Sequence, residues 1–429
     1  MIQKKIYSGD NSLVISKKQE QSLNFFWYGF IVYMLFYIFS SIDGFFISAA
    51  SCQGAQALGF VSMIYGASGV MSLKFDDQYL GTIFWVYLAY SMTIIFRGAE
   101  LSMSSLKQLL FDITFGAMPY LAPLVVLLPR NIKAYKKIYK VLLIFGVCFL
   151  VLVALFFNLM RDPDRLNLQA QGLVENFSGL LAVPCGFLLM TYLYHSKEKD
   201  FLQLGRKNLF AGFVLLVALY FAIFRARRGL IFICGTTLAS IFMVYLISAK
   251  RKMMIIFTLV IFVGFVALFM AGRKTPAMFS FLVDRGEEDT RSGVEVYMYA
   301  DMSSTDWVIG KGIKGEYYCP IVDNVNDASG FRGYIETGYL QMILKGGIMS
   351  IALLLLILIP AIFKGLFKSK NILSKAAAIW ITLWIIYEYP VIGVGFTMHY
   401  LLVWVSVGIC YSKKIRNMAD STIKFYLEK

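Results

Sequence analysis

The stretch FRARRGLIF, Phe224–Phe232, sets three arginines in four positions between two uncharged apolar runs, Leu209–Phe224 and Gly229–Ser248. Arginine at membrane depth is costly and is kept there for a purpose. A guanidinium grips phosphate or carboxylate through a rigid planar fork and never gives up its charge. Arg225, Arg227 and Arg228 are therefore candidate ligands for a phosphate or carboxylate anion. Helix-end arginines also snorkel to lipid headgroups, and Arg225 alone fits that role equally well. A second chemical cluster lies in GFRGYIETGYLQMILKGG, Gly330–Gly347. There Glu336 and Tyr339 share one side of a helix mouth by their i, i+3 spacing, with Tyr334 just ahead. Glu336 is a candidate ion-pair partner for Arg332, four residues earlier.

The elements that must position these residues are apolar helices. Hydrophobic residues make up 59% of the 429 and charged residues 16%, with a mean hydropathy of +0.67. Soluble domains carry about 25% charged residues, so the pattern is that of a polytopic membrane protein. The polar, lysine-bearing Met1–Gln21 and the long apolar run after it do not resemble a removable signal peptide. Runs long enough to cross a bilayer, roughly 17–25 residues, fall near 25–47, 57–73, 79–96, 109–129, 140–160, 174–195, 208–224, 229–248, 253–271, 338–363, 376–390 and 392–411. The fold class expected is an all-α membrane protein of about twelve spans. Residues 1–271 hold helices one to nine, 272–337 form one long external loop, and 338–429 hold helices ten to twelve and a tail. The 57–73 run, with Gly59, Gly66 and Gly69, is the weakest and is either a span or a re-entrant segment.

Charge placement sets the orientation. With the N-terminus cytoplasmic, 22 of 27 lysines lie on the cytoplasmic side and 10 of 14 arginines outside. The lysines obey the positive-inside rule. Either basic residue would serve topology, so external enrichment of arginine alone points to anion binding. The formal net charge of +15 sits mostly in these short loops, which argues against nucleic acid as a partner. Six scattered cysteines and two histidines give no metal pattern. Cys52 and Cys319 both fall outside, leaving a disulfide between them open. The acids of GEED, Gly286–Asp289, pair with Arg285 and Arg291 or stay solvated more readily than they hold a metal.

The long loop reads DRGEEDTRSGVEVYMYADM, then DWVIGKGIKGEYY, then the Glu336 stretch. An Arg-Gly opening a membrane helix, a loop arginine ahead of a short helix, a GxGxxG turn and a YLQ…L…GG helix start together resemble the bacterial O-antigen polymerase and O-antigen ligase superfamily. The resemblance covers roughly Asn176–Leu355. It implies a GT-C-like fold and places Arg228 in the family's Ser-Arg-Gly element, with Arg227 where serine is usual. Arg291 matches the loop arginine. Ligases of this superfamily place a histidine just before the Tyr-Leu pair; here Glu336 stands there, which favours a polymerase.

The substrate implied is an oligosaccharide repeat unit on polyprenyl pyrophosphate, at the outer face of a bacterial cytoplasmic membrane. Arg225, Arg227, Arg228 and Arg291 would bind the pyrophosphate. Arg332, Tyr334 and Tyr339 would close over the sugar, and Glu336 would act as base, without cofactor or metal. Other expected partners are membrane lipids and a chain-length regulator protein. A ligase acting on the same donor is the alternative within this chemistry. A flippase for lipid-linked oligosaccharide is the alternative outside it.

Overall fold

A computed structural model describes residues 16–42, 47–99, 102–162, 164, 167–192, 206–248, 292–321 and 330–428. The expected ninth span, 253–271, and the loop up to and including Arg291 lie outside the described residues.

The described chain is almost wholly helical. Six helices are long and apolar enough to cross a membrane: Lys17–Ser40, Gln78–Phe96, Ile132–Leu155, Leu168–Thr191, Arg206–Phe224 and Gly338–Phe367. Arg228–Ser248, Ile372–Tyr387 and Met398–Tyr411 are further apolar helices. The weak second run is one continuous helix, Ala49–Ser68, and its glycines have a packing reason. A Cβ on Gly29 would stand 2.6 Å from Gly59 O, and one on Gly66 would stand 2.4 Å from Phe26 N. The first two helices thus meet backbone to backbone, as small residues allow between membrane helices.

The expected fourth span is not a single helix. Residues 103–127 form Met103–Phe111, a turn, Met118–Leu121 and a tight 3-10 segment, Ala122–Leu127. Pro119 and Pro123 lack the N–H groups an uninterrupted helix needs. Met118–Leu127 reaches only about 18 Å, well short of a hydrocarbon core of roughly 30 Å.

Contacts at the helix ends alternate as back-and-forth threading requires. At one end Lys137 pairs with Glu20 at 3.3 Å, Lys364 pairs with Asp77, and Arg416 Nη1 donates to Lys368 O at 2.9 Å. At the other end Arg97 closes the Gln78–Phe96 helix and donates to the carbonyls of Ile309 and Gly310 at 2.6 and 3.0 Å.

The described part of the long loop packs on this second end. It holds two short helices, Ser292–Asp301 and Ser304–Ile309, and a two-stranded ladder pairing Tyr317 with Arg332 and Tyr318 with Phe331. Met298, Met302, Tyr317, Cys319 and Ile335 form a small core that includes Leu344 of the membrane helix. Burial pushes the Tyr317 phenol up to about 12, so it stays a donor to Tyr334 O, 3.2 Å away. Cys52 and Cys319 are both buried free thiols, not joined by the disulfide left open by the sequence.

Candidate functional site

The Gly338–Phe367 helix is broken at Gly347, whose backbone sits at φ +65° and ψ −179°, a region essentially confined to glycine. The glycine turn of IGKGIKG docks into that break. Lys311 N donates to Leu344 O at 2.8 Å and Gly312 N to Lys345 O at 2.9 Å, while Ile313 N donates to Ile94 O at 3.0 Å. Gly310 and Gly312 adopt positive φ. Cβ atoms there would stand 2.5 Å from Gly346 N and 2.0 Å from Arg97 O. The GxGxxG turn and the KGG of the helix, distant in sequence, are therefore two halves of one backbone joint. It fixes the loop over the mouth of the helix.

At that mouth, Thr337 precedes the helix and its hydroxyl donates to Glu295 Oε1 at 2.6 Å. Glu336 is exposed at this mouth. Tyr339 does not stand open to close over a sugar. It is half-buried and its hydroxyl donates to Ile385 O, which ties it to the bundle. Tyr334 is exposed and lies near Phe115, ring centroids 5.7 Å apart. Arg332 is 7% exposed, its guanidinium lies 4.2 Å over the Tyr334 ring, and its Nε has no hydrogen-bond partner among the described residues. The arginine expected to descend as a lid is already folded into the loop. Asp301 pairs with Lys311 inside the same loop.

The RARR turn separates its arginines by role. The Arg206–Phe224 helix ends with Arg227 N bonded to Ala222 O and Ala226 N to Ile223 O. This is the paired closure that usually places glycine at the left-handed position. Here Ala226 occupies it at φ +49°. Arg225 is fully buried and donates to the carbonyls of Asp162, Asp164 and Asn167, each at 3.0 Å. Those bonds leave it neither snorkelling nor presented to a ligand. Arg227 pairs with Glu175 and donates to Gln171 Oε1 at 2.8 Å. Arg228 is exposed at the first turn of the Arg228–Ser248 helix, where backbone N–H groups also favour an anion. Arg291 lies outside the described residues.

The two clusters converge on the segment after Ile372–Tyr387. A Cβ on Gly229 would lie 2.9 Å from Val391 Cγ2, and one on Gly338 would lie 2.7 Å from Val391 O. Beneath this junction sits Glu388, fully buried, with Oε2 accepting the Gly393 N–H at 3.3 Å and Oε1 unpaired among the described residues. Reading the sequence missed Glu388. The signal was present: it is the lone acid of IIYEYPVIGVG, an otherwise apolar run. A carboxyl group with an unpaired oxygen is expensive to bury, so its retention at the junction is informative. Among the described residues no cluster of histidine, cysteine and acids could hold a metal ion.

No protein-family model, curated protein or solved structure matches this chain.

Proposed function

We propose that this protein polymerises lipid-linked oligosaccharide repeat units, transferring glycosyl groups with polyprenyl pyrophosphate as leaving group, on the outer face of a bacterial cytoplasmic membrane. The observation that carries the reading is the shared neighbour Val391, which brings the Arg228–Gly229 turn and the Glu336–Gly338 mouth against one segment. A diphosphate lies at the membrane surface because its lipid is in the bilayer. Arg228, exposed at a helix start, meets it there.

In this reaction an acceptor hydroxyl attacks the anomeric carbon while the bond from that carbon to the diphosphate oxygen breaks. Negative charge builds on the departing diphosphate, and a fixed guanidinium stabilises it without reorganising. Arg228 supplies that charge, and Arg227, held in place by Glu175 and Gln171, adds positive charge beside it. Glu336 takes the proton from the acceptor hydroxyl. Tyr334, with Arg332 over its ring, offers its remaining exposed surface to the acceptor sugar. The resemblance of the Arg-Gly, GxGxxG and YLQ…GG elements to the polymerase and ligase superfamily supports the same reaction. Glutamate in place of the ligase histidine favours the polymerase.

The direct test is purified protein in detergent or nanodiscs with the lipid-linked repeat units of its own cell. The expected product is a ladder of lipid-linked oligomers with release of polyprenyl pyrophosphate. Intact donor after prolonged incubation, with protein that remains folded, would refute the proposal.

A further inference from the structure

Below the mouth of the broken helix lies a cavity of about 40 Å³, between the Gln78–Phe96 helix, the 114–120 segment and the first turns of Gly338–Phe367. A water needs about 10–15 Å³ by this measure, so the space suits a carboxylate or phosphate group and not a whole sugar ring. Its wall holds Lys345, Gln341, Tyr120, Tyr87, Ser91 and Thr114, and no acid.

Lys345 and Gln341 are one helical turn apart and only 6% exposed each. Lys345 Nζ donates to Gly315 O at 2.8 Å, which uses one of its three N–H bonds. Gln341 Oε1 accepts the Ile335 N–H at 2.9 Å, which leaves the amide NH2 to donate. Neither group nor the Tyr120 hydroxyl has another acceptor among the described residues. Buried donors are normally matched, and a buried ammonium above all. The acids whose charge reaches Lys345 are Glu316 and Asp112, and neither forms the wall. Asp112 Oδ1 is occupied by the N–H groups of Thr114 and Phe115, 2.8 Å away in each case.

We propose that this cavity binds a small oxyanion, of carboxylate or phosphate size, held by Lys345, Gln341 and Tyr120. It is distinct from the Arg228 turn and lies under the joint between the glycine turn and the helix break, so its occupant would brace the loop on the bundle. A carboxylate carried by an acidic sugar and a free phosphate share the required chemistry.

The test is thermal unfolding of the full-length purified protein against inorganic phosphate, glucuronate and glucose at matched ionic strength. It reads binding and does not depend on glycosyl transfer. A saturable rise in unfolding temperature is expected with phosphate, glucuronate or both, and none with glucose. Response to phosphate alone assigns the site to free phosphate; response to glucuronate assigns it to a sugar carboxylate. Lys345→Met should abolish the response. Ser91→Asp, which places a carboxylate in the opposite wall, should also abolish it and serves if Lys345→Met fails to fold. No saturable rise in the parent protein, or the same rise in the folded variants, would overturn the proposal.

Discussion

Gly338 and Glu388 press together so closely that a Cβ on Gly338 would stand 2.1 Å from Glu388 Oε2. The first residue of the broken helix thus rests on a buried carboxyl group. The same turn, through Val391, touches the glycine that follows Arg228. Gly338→Ala should therefore lose folded protein, because overpacking a rigid site costs about 1–3 kcal/mol. Gly235→Ala, where no atom lies within 4 Å of the added methyl, is the matched control and should be neutral. Equal unfolding temperatures for the two variants would show that the contact is not tight.

The RARR turn makes predictions of opposite sign. Ala226 holds a left-handed conformation that costs a residue with a Cβ roughly 1–2 kcal/mol, so Ala226→Gly should raise the unfolding temperature. Arg225→Lys should lower it, costing roughly 2–4 kcal/mol of stability, since an ammonium cannot reach three carbonyls as the fork does. Arg228→Lys should abolish most polymer formation at an equal level of folded protein. Arg228→Lys with normal polymer at equal protein level would remove its diphosphate role.

Much of this was legible in the sequence because apolar runs and lysine placement are one-dimensional signals. The Arg206–Phe224 and Arg228–Ser248 helices lie almost where the charge-free runs end. The fourth run failed because hydropathy does not register the two prolines that break it. Division of labour within RARR was not legible either. The carbonyls that occupy Arg225 come from residues 162–167, brought near only by folding. Glu388 was visible as an acid but not as a neighbour of Gly338.

Glu336→Gln keeps shape and hydrogen bonding but cannot take a proton. If Glu336 is the base, turnover should fall on the order of 10²–10⁴-fold, while donor affinity survives. Turnover within about fivefold of the parent would end that role. Glu295, bonded to Thr337 at the same mouth, would then be the carboxylate to examine.

Orientation is open to labelling in intact cells. A cysteine at Asp327 should react with an impermeant reagent from outside, and one at Lys370 should not. The reverse pattern would place the arginine-rich end in the cytoplasm, where the proposed donor does not present its sugar.

The most direct measurement of the central claim is the saccharide profile of a strain lacking this protein. Loss of long chains, with lipid-linked single repeats accumulating on the outer face and long chains restored by the parent gene, is the predicted result. Long chains persisting on the lipid carrier would contradict the account and indicate a ligase. Single repeats trapped on the cytoplasmic face would contradict it in favour of a transporter.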